Sequence, residues 1–315
     1  LNNLGSFYIQ WQDCLQKGQR FVLVTHKDPD IDALGSTLAL NQYLLSLGKQ
    51  TTVWVPDVIE DAFLCLPYLD QLSKELPAEY DTVIFLDCSN LDRVRHAETL
   101  KTDVNWVNID HHADNTFFGA LNWVETEASS VGEMMYVFLT HAKAQITPEM
   151  ATLMYCAISF DTGRFLYSNV KPSTFHAAAE LMTLGAQVVE MNQKLYESKP
   201  YTAFEMIKIA LEGLVVNLEK QYAYTCIPLS APHGGIKIVD FIRQLEGVHV
   251  IVVFTELENN EVRVNLRSKQ SFNVSAFAAP FGGGGHKQAS GITVQGTLEE
   301  ARKKIIQALD AALTV

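Results

Sequence analysis

Cysteine is scarce in this chain and poorly placed for a covalent framework. The five cysteines (Cys14, Cys65, Cys88, Cys156, Cys226) are scattered, odd in number and without a CxxC pair, which excludes a disulfide scaffold or a thiolate zinc site as the organising element. Such usage fits a reducing cytoplasm. Positive charge is also in short supply: 24 Lys and Arg stand against 36 Asp and Glu, for a formal net charge of −12. A broad electrostatic grip on a nucleic-acid duplex needs many Lys and Arg contacts to phosphate, so the balance leaves room only for a short, locally held anion. No apolar run reaches membrane-spanning length; MATLMYCAISF (150–160) is the longest and reads as a buried helix. No signal peptide is visible, although a chain that opens on Leu1 leaves the native start open. Internal repeats are lacking, and the glycines at 282–285 are the single low-complexity stretch.

What is present is an alternation of β-rich and helical segments. FVLVTH (21–26), TTVWV (51–55), TVIFLD (82–87) and NWVNID (105–110) are continuously apolar, the pattern of strands covered on both faces. They predict an α/β N-terminal domain with a mainly parallel sheet flanked by helices. Helices are expected over 33–49, ending at Gly48; after Ser129 or Ser130 as N-cap; and from Thr147 as N-cap with Pro148 at the first helical position. Residues 193–220 read as a helical linker that Pro200 interrupts. AYTCIPL (223–229), VHVIVVFTEL (248–257) and EVRVNLRS (261–268), closed by a helix over 298–313, predict a smaller C-terminal α/β domain with a mixed sheet. The expected division is therefore 1–192, 193–220 and 221–315, and 315 residues suffice for two cores.

THKDPDIDALGS (25–36) gathers a histidine and three aspartates at one point. In an extended segment alternate side chains share a face, so His26, Asp28, Asp30 and Asp32 could all point one way, and Pro29 favours extension at Asp28. Like charges so spaced repel unless a cation sits among them. Comparable groups follow the other elements: Asp87 after TVIFL, Asp110 with His111 and His112 after NWVNI, and Asp161 after MATLMYCAISF. In open parallel sheets ligands bind in the crevice at the carboxyl ends of the strands, where these clusters are expected to converge. A single aspartate at a strand end is as often a turn former or helix cap; four clusters in one domain are harder to explain that way. Carboxylate oxygens with imidazole suit Mn²⁺, Mg²⁺ or Fe²⁺, and the donors suffice for two ions.

In this order, HKDPDIDALGS (26–36), LDCSN (86–90), DHH (110–112) and SFDTGRF (159–165) resemble the four motifs of the DHH phosphoesterases. RSK (267–269) with FGGGGHKQASG (281–291) resembles the glycine-rich signature of the C-terminal domain associated with them. Within the family the two-domain length is similar to the nanoRNase (NrnA) type, bifunctional oligoribonucleases that also remove the 3′ phosphate of adenosine 3′,5′-bisphosphate. The resemblance implies a two-metal site, with Mn²⁺ first and Mg²⁺ or Fe²⁺ as alternatives. His26, Asp30 and Asp87 would hold one ion and Asp32, Asp87, His111 and Asp161 the other, with Asp87 bridging. Asp28 is left out. Asp110 becomes a group that orients a histidine, and His112 faces the substrate phosphate, to stabilise a nonbridging oxygen or protonate the leaving oxygen. Ile31 departs from the family, which often has glycine there; the loop shape is affected but no ligand is removed. Two cations would lower the pKa of a bridging water from about 15.7 toward neutrality, for in-line attack on phosphorus.

Arg93 and Arg95 are candidates for a phosphate clamp, since guanidinium forks match phosphate oxygens; solvated surface charge is an equal alternative. Consecutive glycines (Gly282, Gly283, Gly284, Gly285) can turn backbone N–H groups toward an anion, with His286 and Lys287 adding donors. The resemblance assigns this loop, with Arg267, Ser268 and Lys269, to the substrate end away from the metals. Phe272 and Phe281 could stack on a base or sit in the core. The leading reading is a metal-dependent exoribonuclease and bisphosphate phosphatase acting on short single-stranded RNA, dinucleotides and adenosine 3′,5′-bisphosphate in the cytoplasm, without a membrane partner and compatible with a homodimer. A manganese-dependent inorganic pyrophosphatase, a phosphodiesterase of linear dinucleotides such as pApA, and a nucleotide-binding sensor are the competing readings. The glycine loop argues against the first, and the complete set of six ligands against the last.

Overall fold

The protein is described by a computed structural model covering residues 3–232, 238–269 and 271–313; the side chain of His286, an expected substrate contact, lies outside the described residues. The chain divides into two compact units, Leu1–Ser198 and Lys199–Val315.

The first unit runs α1 (Leu4–Lys17), β1 (Arg20–Val24), α2 (Ile31–Ser46), β2 (Gln50–Trp54), β3 (Leu72–Ser73), β4 (Thr82–Leu86), β5 (Asn105–Asp110), β6 (Leu121–Val124), α3 (Val131–His141), α4 (Pro148–Asp161), α5 (Pro172–Thr183) and α6 (Val188–Asn192), followed by a π-helical turn at Gln193–Glu197. Its six strands pair in parallel in the order β3-β2-β1-β4-β5-β6. The four continuous apolar runs form β1, β2, β4 and β5. Burial on both faces explains why they do not alternate. Leu23, Ile84, Leu86, Val107 and Ile109 join Trp11, Leu34, Leu38, Phe138 and Met154 of the helices on one side. Val22, Val24, Val83 and Phe85 meet Tyr80, Val94 and Leu100 from loops and short 3₁₀ turns on the other. Helices thus cover chiefly one face. The short strands β3 and β6 carry too few residues for a sequence pattern to register.

Two helix starts bring chemistry to the sheet. The extended run expected over 26–32 is not what forms: Asp28 takes a left-handed φ of 52°, Asp30 caps α2 by accepting from the N–H groups of Asp32 and Ala33, and Asp32 lies in the first helical turn. The capping preference of aspartate prevails over the extension that Pro29 favours. The helix accordingly begins at Ile31 rather than 33 and ends at Ser46, ahead of Gly48. Of the two serines, Ser130 caps α3 by accepting from Glu133 N, while Ser129 donates to the Glu133 carboxylate. Thr147 and Pro148 start α4 as expected.

The second unit comprises α7 (Tyr201–Glu212), β7 (Val215–Asn217), β8 (Tyr222–Ile227), α8 (Ile238–Ile242), β9 (Val250–Leu257), β10 (Glu261–Ser268), α9 (Val274–Ala278), β11 (Gly284–His286), β12 (Ala289–Gln295) and α10 (Leu298–Ala312). The sheet order is β11-β12-β10-β9-β8-β7, mixed because β8 and β9 pair in parallel and the other neighbours are antiparallel. Ile305 and Leu309 of α10 pack on Val252, Phe254, Val264 and Ile292. Over the expected linker at 193–220, residues 193–197 close the first unit, and Pro200 stands at the break that follows, as the N-cap residue of α7. The rest of that segment is built into the second unit, where Thr225 Oγ1 donates to Ala210 O at 2.7 Å. Among the described residues no helix is long and apolar enough to cross a membrane.

The helices approach closely enough to need glycine. A Cβ on Gly132 of α3 would lie 2.4 Å from Ala157 Cβ, and one on Gly35 of α2 would lie 2.7 Å from Leu153 O. Gly132→Ala is expected to destabilise the protein by about 1–3 kcal/mol through overpacking, read as a lower urea midpoint at unchanged m-value. Gly5→Ala, where a Cβ meets nothing within 4 Å, is the control and should hold or raise the midpoint.

Candidate metal centre

From β1 the chain proceeds through β2 to β3 on one side, then returns past β1 to β4, β5 and β6 on the other. The order reverses between β1 and β4, and their carboxyl ends are where an open parallel sheet binds ligands. His26 follows β1, Asp87 follows β4, and Asp110, His111 and His112 end β5. Asp32 enters from the first turn of α2 and Asp161 from the last turn of α4.

These side chains converge on Asp87. Its Oδ2 lies 3.5 Å from His26 Nε2, and its Oδ1 lies 3.7 Å from His111 Nε2 and 3.4 Å from His112 Nδ1. His26 Nε2 is also 3.8 Å from Asp30 Oδ1; His111 Nε2 is 3.4 Å from Asp161 Oδ2 and 3.9 Å from Asp32 Oδ2. Two groups result, His26 with Asp30 and Asp87, and Asp32 with His111 and Asp161, each with donor atoms close enough together to hold a metal ion. A third combination joins Asp87, His111 and His112.

The electrostatics favour cations here. Asp87 Oδ1 is buried without a hydrogen-bond partner, and Asp87 itself holds a left-handed φ of 58°, a strained conformation for a side-chain-bearing residue. Burial, then repulsion from Asp87 and Asp161, pushes the Asp32 carboxyl well above its usual range. Burial likewise raises Asp161 to about 6, with Asp87 and Asp30 adding to it against relief from His111. Burial also works against charge on Asp87, but the His26 contact and the surrounding imidazoles hold it low. His26 is raised well above the ordinary histidine value, burial opposing its charge and Asp30 and Asp87 stabilising it. His112 reaches about 9 in the same contest, with Asp110 the chief stabiliser. No placement of protons suits every member of so crowded a group, whereas divalent cations neutralise the carboxylates together. The donors are oxygen and imidazole nitrogen with no sulfur, which suits Mn²⁺, Mg²⁺ or Fe²⁺.

Hydrogen bonds aim the donors. Asp32 accepts from Val131 N and Gly132 N, both at 2.8 Å, so the start of α3 orients its carboxylate. His26 Nδ1 lies 2.8 Å from Lys27 O and His111 Nδ1 3.3 Å from Ala128 O, leaving each Nε2 toward the centre. His112 Nδ1 meets Asp110 Oδ1 at 2.7 Å, and Asn115 Nδ2 donates to Asp110 Oδ2 at 2.6 Å. Asp110 is fully buried and orients His112.

Other expected residues are engaged elsewhere. Asp28 points outward to Arg95 at 3.0 Å, and Arg95 also binds Asp57 at 2.5 Å. Asp57 in turn accepts from Asp28 N at 2.9 Å, and Lys74 donates to its carbonyl. Asp57, Arg95 and Asp28 thus brace the loop carrying His26 and Asp30, a role that sequence reasoning missed because a buried acid beyond β2 has no motif. Arg93 is half-buried, and its carbonyl accepts from Lys27 N at 2.6 Å. In the second unit Arg267 pairs with Asp240 at 3.0 Å, Ser268 is buried and donates to Phe272 O at 2.7 Å, and Lys269 donates to Leu245 O. The second half of the glycine run, Gly284 and Gly285, enters the edge strand β11. A Cβ on Gly283 or Gly285 would lie 2.5 Å from a backbone oxygen of β12, Gly282 takes a φ of 74°, and only Gly284 of the four faces open space without a positive φ. Phe272 and Phe281 pack against the core of that unit, each about one ring from Phe277.

Metal uptake is expected to weaken as pH falls, by at least about tenfold per pH unit, because Asp161, raised to about 6, and Asp32, His26 and His111, all raised as well, would have to give up protons to bind; Mn²⁺ titration by calorimetry across pH checks this. Asp57→Ala should weaken Mn²⁺ binding roughly 10–100-fold at the His26 and Asp30 side while sparing the Asp32 side, so that one ion per chain is lost first on dilution. Loss of both together would mean a general structural effect.

Residues 20–158 match the DHH family, N-terminal domain, and residues 219–314 match the DHHA1 domain. The chain is 31% identical over 300 residues to the bifunctional oligoribonuclease and PAP phosphatase NrnA of Thermus thermophilus, covering 93% of this chain and 90% of that one. It is 29% identical over 282 residues to the protein of the same description from Bacillus subtilis, covering 87% and 88%. An exopolyphosphatase-related protein from Bacteroides fragilis shares the fold, with a TM-score of 0.92 at 24% identity over 98% of this chain and 97% of that one. With both domains matched in order and donor groups able to hold metal assembled where the parallel sheet reverses, the chain belongs to the DHH family of metal-dependent phosphoesterases.

Proposed function

We propose that this protein uses two divalent ions, Mn²⁺ first among them, to hydrolyse very short RNA to mononucleotides and to remove the 3′ phosphate of adenosine 3′,5′-bisphosphate. The observation that carries the reading is Asp87, a buried carboxylate with an unpartnered oxygen between two sets of metal-compatible donors. His26, Asp30 and Asp87 would hold one ion, and Asp32, Asp87, His111 and Asp161 the other. The bound cations would supply an activated water and offset the charge that develops on the phosphoryl group. The substrate class is supported by relatives described as bifunctional oligoribonucleases and PAP phosphatases. Five free cysteines support a reducing, cytoplasmic setting.

The remaining chemistry belongs to the chain itself. His112, whose Nδ1 is directed to Asp110, is proposed to face a phosphate oxygen. Its raised pKa, about 9, favours the imidazolium, a hydrogen-bond donor suited to developing negative charge or to a leaving oxygen. Asn115 bonds to Asp110, Asn108 and Cys88 O, tying β5 to the segment after Asp87. In the second unit Gly284 and its neighbours, with the Arg267 to Lys269 stretch, are proposed to bind the far end of the substrate. Arg267 would do so with nitrogens beyond its Asp240 contact, and Ser268 by positioning rather than touching, since its hydroxyl is turned inward.

The test is a Mn²⁺-supplemented turnover assay on a dinucleotide, a long RNA, adenosine 3′,5′-bisphosphate and pyrophosphate. The dinucleotide and the bisphosphate are expected to be consumed fastest, with Asp87→Ala lowering both rates by roughly 10³-fold or more. Turnover of pyrophosphate alone would overturn the reading in favour of a pyrophosphatase.

A further inference from the structure

A cavity of about 280 Å³ opens in the first unit between the carboxyl end of α4 and the Gln193–Glu197 turn, lined by Tyr155, Ser159, Arg164, Phe165, Asn192 and Tyr196 together with Glu197. None of these residues belongs to the metal centre, yet the pocket begins on the helix that delivers Asp161. Tyr155 and Ser159, four residues apart on α4, share the face that lines it. The composition is specific: three aromatic rings, one guanidinium, one carboxylate, and amide and hydroxyl groups with spare hydrogen-bonding capacity.

The rings and the guanidinium are set as flat surfaces. Phe165 is backed by Phe175, centroids 5.3 Å apart and 19° from coplanar. Arg164 lies over the Tyr196 ring at 5.2 Å. Both residues adopt left-handed backbone, with φ of 62° and 63° directly after Gly163 at 56°. That conformation is costly for side-chain-bearing residues, roughly 1–3 kcal/mol each. It is held by Arg164 N donating to Ser159 O at 2.7 Å and Phe165 N donating to Thr162 Oγ1 at 3.1 Å. The effect is to fold both side chains back along the end of α4. The polar groups are only weakly committed: Asn192 Nδ2 lies 3.5 Å from Tyr155 OH, and Ser159 Oγ lies 3.5 Å from Tyr196 OH, both at the outer limit of a hydrogen bond.

Flat aromatic and guanidinium surfaces beside an amide with free donor and acceptor capacity are the elements that recognise a nucleobase. The volume is just under the range of about 300–1,000 Å³ typical for drug-sized ligands, enough for one base rather than two. We propose that this pocket seats a nucleobase, by stacking on Phe165 and Arg164 with Asn192 on the base edge. The inference rests on the nucleotide-substrate reading above and adds a base-recognition site in the first unit.

The experiment titrates 2-aminopurine riboside 5′-monophosphate into the full chain in EDTA and follows quenching of the base fluorescence on stacking. Saturable quenching is expected, with Phe165→Ala weakening binding about tenfold, as loss of a stacking partner does, and Asn192→Ala weakening it several-fold. Melting curves verify that both variants are folded, and Asn192→Ala alone decides the matter if Phe165→Ala is not. Absence of saturable quenching, or equal affinity in the folded variants and the parent, overturns the pocket. The same preparations are assayed with Mn²⁺ on a dinucleotide. Turnover without quenching leaves the phosphoesterase reading standing and overturns the base site, whereas quenching that depends on Phe165 or Asn192 without turnover supports the site and counts against the activity.

Discussion

Four carboxylates gathered where the strand order of a parallel sheet reverses are the constraint on which the first unit depends. Asp30, Asp32, Asp87 and Asp161 could not share that volume in a folded protein at low cost without compensation. Compensation comes at several levels. The start of α3 supplies two N–H groups to Asp32, the N–H groups at the start of α2 engage Asp30, and three imidazoles surround Asp87. The unpartnered Asp87 oxygen and the upward displacement of Asp32 and Asp161 show that protein groups alone leave the charge incompletely balanced. Metal ions held by these groups would complete the balance, so the electrostatics of the fold agree with the metal dependence of the family.

Packing is subordinate to the same centre. Asp32 and Asp161 reach it only because α2, α3 and α4 lie nearly backbone to backbone, with Gly35 and Gly132 at the points of contact. The loop that presents His26 and Asp30 is short and carries a strained Asp28, and Asp57 with Arg95 pins it from outside. Arg95, one of two candidates for a phosphate clamp, thereby serves the architecture. Such sharing is natural near a crowded anionic site, where a cation is valuable both to the loop and to a ligand.

The glycine run illustrates how one composition serves two demands. Gly285 is required by the approach of β11 to β12, Gly283 by its closeness to Gly291 O of β12 just ahead of β11, and Gly282 by its left-handed turn. Those requirements hold whether or not an anion binds. Gly284, pointing to open space from an edge strand, has no such packing reason. It is the position in the run where a functional demand is most separable from a structural one.

The sequence by itself determined the α/β class, the four central strands, the mixed second sheet and the ordered donors from His26 to Asp161, because continuous apolar runs and clustered acids are local properties of the chain. Tertiary structure decided what is not local. It placed Asp28 outside the cluster by ending the extended run in a helix cap at Asp30. It turned Ser268 inward, and it assigned Asp57 and Asn115 to supporting positions that no motif announces. It also formed the pocket beside α4 from residues near 155, 164 and 196, which no window of sequence joins. The physical reason is that a donor's usefulness depends on direction and burial. Both are set when strands from opposite sides of the switch point and three closely packed helices meet at one place, not when the residues are written in order.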